Sequence, residues 1–267
     1  MYQAQKCVCC HSENIEKFSG IMAEFLIDRM TGIVHPPASN MCSTVHCLDC
    51  DYVGSELRFS PVEENRYYQN YGVGEYVYHR EQYEPGISTT FHNLQMDEIK
   101  KYRKEVTIDV LKNTIDLSTV SSLLDYGGNT GEMIPDEFSN IDRYVTDVQN
   151  RVLRNGVKSI TGPEESGKVD LVLCSHTMEH VSHPFDMTVD LKRYLKSDGW
   201  LYLEVPNELP VPKQGELWHE HINKFTMECL EKHMELHGFD VKFRATDKHG
   251  HTHMPLSHVI VGQLKGK

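Results

Sequence analysis

No stretch of this sequence approaches the roughly 20 consecutive apolar residues that a membrane-spanning helix needs. The segment from Met1 to Cys10 also lacks the apolar core of a secretory signal. Both absences lead us to expect a cytoplasmic chain with no membrane span. Positive charge is in deficit: 27 Lys and Arg face 39 Asp and Glu, a net charge of −12. Phosphate contacts supply most of the affinity of nucleic-acid binders, so this deficit counts against a nucleic-acid partner. The densest basic run, Lys100, Lys101, Arg103 and Lys104, falls on a helical pattern and reads as a solvated face. Cysteine is nearly missing after residue 50, because six of the eight lie within the first 50 residues.

That clustering is the first positive signal. Cys7 and Cys10 form one CxxC pair and Cys47 and Cys50 a second. A cytosolic chain rarely uses disulfides, so paired turns of this kind point to metal. Two such turns complete a four-thiolate tetrahedron, a closed and therefore structural zinc site. Cys9, Cys42, His11 and His46 are nearby substitutes as ligands. We expect residues 1–60 to be a zinc-binding module. Residues 61–96, rich in Tyr and Glu and broken by Gly72, Gly74, Pro85 and Gly86, form a connector. Its aromatics either close over substrate as a lid or pack between domains.

From residue 97 strands and helices alternate, which implies a parallel sheet covered on both faces. Asp97 to Asp116 has helical spacing. Val120 to Asp125 reads as a buried strand running into the turn Gly127-Gly128-Asn129-Thr130-Gly131, with a short helical turn expected after it. Strand, glycine turn and helix is the nucleotide-binding arrangement of doubly wound folds. Tyr144 to Asp147 is a second strand ending in an acid, placed to hold ribose hydroxyls. Val157 to Thr161, Val169 to Cys174 and Trp200 to Val205 follow as strands, with a helix from Phe185 to Leu195 stopping at Asp198-Gly199. Thr226 caps a last helix, and strands Phe239 to Arg244 and His258 to Leu264 close the domain.

In this order the blocks resemble the class I S-adenosylmethionine-dependent methyltransferases. Leu124 to Gly131 matches their glycine-rich first motif, although Asn129 stands where glycine is usual. Asn tolerates left-handed backbone, so the loop is expected to keep its shape. Asp147 matches the ribose-binding acid, and Val169 to Val181 (VDLVLCSHTMEHV) and Leu195 to Asn207 match the fourth- and fifth-strand regions. The resemblance implies a seven-stranded, mostly parallel, doubly wound Rossmann-like α/β sheet over residues 97–267. It also implies S-adenosylmethionine bound by Asp125, Gly127, Gly128, Asn129, Gly131, Asp147, Ser175 and His176. The zinc module together with Trp218-His219-Glu220-His221 is similar to the deoxysugar C-methyltransferases and related glycan-biosynthesis enzymes, in which the Glu-His pair lies at the active site. Those enzymes carry tyrosine in place of Trp218 and a further C-terminal domain, so carbon, oxygen and nitrogen acceptors stay open.

Methyl transfer needs in-line alignment and, for many acceptors, a base near neutral pKa, for which His is suited. Of 16 His, those following strands four and five stand where the ligand crevice should lie. We expect His221, Glu220, His180 and His219 to carry the chemistry, with His221 as base and His176 as a further candidate. His249, His251 and His253 read as a mobile rim. The expected function is methyl transfer to a small acceptor, a nucleotide-linked sugar or glycan intermediate. The alternatives are an RNA methyltransferase with a zinc module and a non-catalytic cofactor-binding protein.

Overall fold

The computed structural model describes residues 1–32, 40–88, 96–149, 151–208, 214–246 and 257–266. The His249–His253 stretch and the prolines Pro210 and Pro212 lie outside them. The N-terminal part runs β1 (Tyr2–Gln3), β2 (Ile15–Met22), α1 (Glu24–Thr31), β3 (Met41–Cys47), β4 (Val53–Ser55) and β5 (Leu57–Arg58). The connector folds into α2 (Pro61–Tyr68) and α3 (Gly74–Glu81). Ser60 and Glu63 make a reciprocal capping box at the start of α2, with Pro61 just inside it, the combination that best satisfies the free N–H groups of a helix start.

The remainder runs α4 (Met96–Thr114), β6 (Ser122–Tyr126), β7 (Asp142–Thr146), β8 (Val157–Ser159), α5 (Pro163–Ser166), β9 (Val169–Ser175), α6 (Pro184–Tyr194), β10 (Leu195–Pro206), β11 (Glu216–Trp218), β12 (Asn223–Lys224), α7 (Met227–Leu236), β13 (Phe239–Thr246) and β14 (Ser257–Leu264). Seven of these strands pair in the order β13-β14-β10-β9-β6-β7-β8. The five from β10 to β8 are parallel, and β14 is antiparallel to both β10 and β13. This is the expected mostly parallel α/β sheet. Because side chains alternate along a strand, Leu124, Val172 and Leu203 pack with Leu191 and Leu230 of α6 and α7. Leu123, Leu171 and Tyr202 pack on the other face with Ile108 and Leu111 of α4.

Two local expectations change. Residues 127–135 form turns and not a helix, because Gly127, Asn129 and Gly131 take positive φ, which a right-handed helix cannot include. The helix ends at Tyr194, not at Asp198-Gly199. Leu195 already pairs with Val169, and β10 absorbs the intervening residues at an irregularity before Trp200.

A second sheet has the order β11-β2-β3-β4-β12. Its three central strands come from the cysteine-bearing N-terminus, and its two edges come from residues 216–224. The HEH block spans the gap between those edges. Trp218, fully buried, donates its indole N–H to Thr44 Oγ1 at 2.9 Å, and Asn223 Oδ1 accepts from Tyr52 and Arg58 at 2.5 and 2.8 Å.

Candidate active site

The carboxyl ends of β6, β7 and β9 open into a cleft of about 470 Å³, a size suited to a small molecule. Gly127, Asn129, Asp147, His176 and His180 line it from the sheet, and Tyr68 and Tyr71 from the connector. The connector aromatics thus divide: Tyr67 and Tyr76 are buried in the core around α1, whereas Tyr68 and Tyr71 wall the cleft.

The glycine loop turns tightly across the end of β6. A Cβ on Gly127, which has φ +72, would lie 2.5 Å from Thr177 Oγ1, and one on Gly128 would lie 2.3 Å from the Asp125 carboxylate. No larger residue fits either place without moving the loop. Asn129 takes φ 52, and its backbone N–H donates to Asp147 Oδ2 at 2.9 Å. Asp147 Oδ1 accepts from Gln149 N at 2.8 Å. Each carboxylate oxygen keeps capacity for a further bond, as two ribose hydroxyls would require. Asp125 is 3% exposed and its Oδ2 has no hydrogen-bond partner among the described residues. Burial pushes its pKa up to about 7, with Arg103 opposing and Asp147 reinforcing the shift. Such a group fits a ligand ammonium.

Arg103, which the sequence places on a solvated face, points inward instead. It donates to Ser175 Oγ at 2.5 Å and lies 3.6 Å from Glu204 Oε2. Burial would raise the Glu204 pKa, but Arg103, His176 and Ser175 together hold it well below the carboxylate range. His176, at φ 51, stands 3.2 Å from Glu204 Oε1 through Nε2. Sequence reasoning missed Arg103 and Glu204. The signals were present: Glu204 is the one charge in an otherwise uncharged run from Gly199 to Val205, and Arg103 shares a helical stripe with Ile99, Val106 and Val110.

The HEH block fans out. His219 pairs with Glu84 and lies 3.5 Å from Arg80 Nη2, away from the cleft-lining residues. Glu220 accepts from Tyr71 at 2.7 Å and pairs with Arg80 at 3.6 Å. Burial raises the Glu220 pKa, but His180, Arg80, Tyr71 and His221 outweigh it and the carboxyl titrates below its usual range. His221 meets His180 edge-on at 4.6 Å between ring centroids. Burial lowers the His180 pKa. For His221 burial acts the same way, but the bond to Glu208 and nearby carboxylates turn the shift upward. The structure therefore brings His180, His221 and Glu220 together and sets His219 apart.

In the N-terminal module, Cys7, Cys10, Cys47 and Cys50 place their sulfurs within 4.8 Å of one another. Cys7 Sγ is 3.7 Å from Cys50 Sγ, and Cys10 Sγ is 3.6 Å from Cys47 Sγ. A tetrahedral zinc–thiolate site requires edges of ~3.8 Å, given its Zn–S bonds of ~2.3 Å. Of the other candidate ligands, Cys9 lies in a second group of three thiols with Cys50 and Cys229, within 4.8 Å of one another, and contacts His233, whereas Cys42 lies near Ser55, His46 bonds Asp51 and His11 packs against Phe185. The four thiols fit zinc.

No helix of the described residues is long and apolar enough to cross a membrane. A sequence profile for a methyltransferase domain matches residues 99–242. Among solved structures, the chain is similar to the Burkholderia thailandensis 1,6-didemethyltoxoflavin-N1-methyltransferase with bound 1,6-didemethyltoxoflavin and S-adenosylhomocysteine. The TM-score is 0.52 at 12% identity, over 82% of this chain and 98% of that one. The plantazolicin methyltransferase BpumL in complex with S-adenosylhomocysteine gives 0.49 at 14% identity, over 68% and 91%. An S-adenosylmethionine-dependent methyltransferase from Aquifex aeolicus gives 0.40 at 16%, over 54% and 82%. No curated protein matches the chain. With the family profile spanning more than half its length and its cleft at the carboxyl ends of a seven-stranded sheet, the chain belongs to the methyltransferase-domain family and is an S-adenosylmethionine-dependent methyltransferase.

Proposed function

We propose that this enzyme methylates a small acceptor, a nucleotide-linked sugar or another intermediate of glycan biosynthesis. The supporting observation is a cleft of about 470 Å³ that runs from the glycine loop to polar groups of Tyr68, Tyr71 and His180. A cleft of that size takes a small molecule, and its hydroxyl and imidazole groups suit a polyhydroxylated partner. S-adenosylmethionine supplies a methyl group already activated by its sulfonium.

The chain's residues then bind and align. Asp147 holds the ribose; Asp125 receives the methionine ammonium beneath Gly127, Gly128, Asn129 and Gly131; Ser175 and His176 close the same end. His221, with His180 beside it, activates the acceptor atom, while Glu220 and His219 brace the block against Tyr71, Arg80 and Glu84. Residues 1–60 form a module held by one structural zinc on Cys7, Cys10, Cys47 and Cys50, residues 61–96 its connector, and residues 97–267 the cofactor domain.

The test is methyl transfer from labelled cofactor to nucleotide sugars, glycan precursors and structured RNA side by side. Transfer to the sugars is expected; transfer to RNA alone would overturn the reading. In parallel, Asp147→Ala should weaken S-adenosylhomocysteine binding about tenfold or more by calorimetry, since hydrogen bonds to a charged group contribute roughly 1.5–3 kcal/mol each.

A further inference from the structure

Glu179 follows β9 in the turn beneath the cleft wall. Its side chain is 1% exposed, yet neither carboxylate oxygen accepts a hydrogen bond from any described residue. An isolated carboxylate is costly to bury, and such groups are normally paired, hydrogen-bonded or bound to a metal. The nearest nitrogens are His176 Nδ1 and His180 Nε2, at 3.5 and 3.6 Å from Oε1.

Glu179, His180 and His221 each offer one ligand atom, and the three lie within 4.8 Å of one another. The other nitrogen of each imidazole is already engaged. His180 Nδ1 lies 3.1 Å from the Glu220 carbonyl oxygen, and His221 Nδ1 lies 2.5 Å from Glu208 Oε1. A carbonyl and a carboxylate can only accept, so both Nδ1 atoms carry a proton, and in the neutral imidazoles that a metal would take both Nε2 atoms are left bare. His180 Nε2 therefore faces an unbonded carboxylate, with a ring nitrogen of His221 in the same cluster, and neutral His180, its proton on Nδ1, cannot donate to Glu179. A cation satisfies all three at once. A carbonyl or carboxylate fixing the far nitrogen of a histidine is also what orients such ligands around metals.

We propose that Glu179, His180 and His221 bind one divalent transition-metal ion at the acceptor end of the cleft. Two imidazoles and one carboxylate suit Mn²⁺ or Fe²⁺ and leave coordination positions open. His180 lines the cleft, so those positions are available to a ligand lodged there. The acceptor class that fits is one with two adjacent oxygen donors, such as vicinal hydroxyls on a sugar ring. This deepens the proposed acceptor reading and rests on it, and it gives His221 the role of ligand in place of base. The ion would favour the ionised form of an acceptor hydroxyl, whose proton passes to water.

The experiment uses the full chain and Mn²⁺ as probe, followed by loss of the free-ion paramagnetic resonance signal. Zinc content and S-adenosylhomocysteine binding are measured on the same samples. One saturable Mn²⁺ per chain is expected. Glu179→Gln and His180→Ala should each weaken it by more than about tenfold, and Glu208→Gln by roughly 10–100-fold, with zinc and S-adenosylhomocysteine binding retained as the check on folding. A parent protein that binds S-adenosylhomocysteine but no Mn²⁺, or a Glu179→Gln protein with parental Mn²⁺ affinity, overturns the metal site. Loss of S-adenosylhomocysteine binding bears on the cofactor reading instead, and the Mn²⁺ titration still decides this one.

Discussion

Asp125 is a carboxylate placed where the apo protein does not want a negative charge. It sits at the end of β6 under Gly128, with Asp147 raising its pKa, Arg103 lowering it and Cys174 close by. Its folded pKa of about 7 lies above the ordinary 3.8. For a raised pKa the stabilising contribution is complete below the unfolded value and is lost as pH climbs through the folded one. The window is therefore about pH 4 to 7. Asp125→Asn should stabilise the cofactor-free protein at pH 8 on the order of 4 kcal/mol, as each pH unit of displacement is worth about 1.4 kcal/mol, and by clearly less at pH 5. The same change should weaken S-adenosylhomocysteine binding, because an amide side chain cannot pair with an ammonium. Melting curves at the two pH values and a titration check both. An Asp125→Asn protein that is no more stable than the parent at pH 8 would show that the carboxyl is not strained.

At the scale of elements, α4 is tied to the cofactor strands by charge as well as by apolar packing. Arg103 reaches from the helix to Glu204 on β10 and Ser175 on β9. Truncating Arg103 leaves Glu204, 4% exposed, without its strongest counter-charge, and breaking a buried pair from one side costs roughly 3–5 kcal/mol. Arg103→Ala should thus destabilise by at least about half that, since the guanidinium retains some solvent. Glu204→Gln in the same chain should recover part of the loss. Equal instability of the single and double variants in denaturant unfolding would mean that the pair is not what couples helix to sheet. This coupling also shows what the sequence made legible. The strand order, the glycine loop and the acid of β7 could be read because each depends on local pattern: an apolar run, a turn residue, a spacing of about 20. The inward turn of Arg103 could not, because a basic run looks solvated until its partner, Glu204, is known to lie opposite. The start of β10 at Leu195 was hidden likewise. Asp198-Gly199 is a good helix stop in isolation, and pairing with β9 overrides it.

For the molecule as a whole, the cysteine module does more than precede the enzyme. β11 joins β2 in parallel and β12 joins β4 antiparallel, so the ends of the HEH block are strands of the N-terminal sheet. Cys47 is the last residue of β3, and Cys50 leads into β4. From the four thiols the path to His221 passes through β4, β12 and the Asn223 side chain, which donates to the carbonyls of Met178 and Val181 at 2.9 and 2.7 Å. Zinc at the thiols would therefore set the position of His221 against His180 without touching the cofactor. The glycine loop and Asp147 hang on the other sheet; Cys7, Cys47 and Cys50 pack in one core with Leu124, Cys174 and Leu203 of that sheet, but the loop and Asp147 are not part of that core. Cys47→Ser, or zinc removal by a chelator, should lower turnover steeply while S-adenosylhomocysteine affinity changes little. A displacement of ~1 Å at a reacting group can cost on the order of 10²-fold, and that is the size of loss expected. Zinc content, calorimetric affinity and kcat measured on one preparation separate the cases. Zinc lost with turnover intact would make the module a mere appendage, whereas affinity and turnover lost in equal measure would mean that the whole fold had been disturbed.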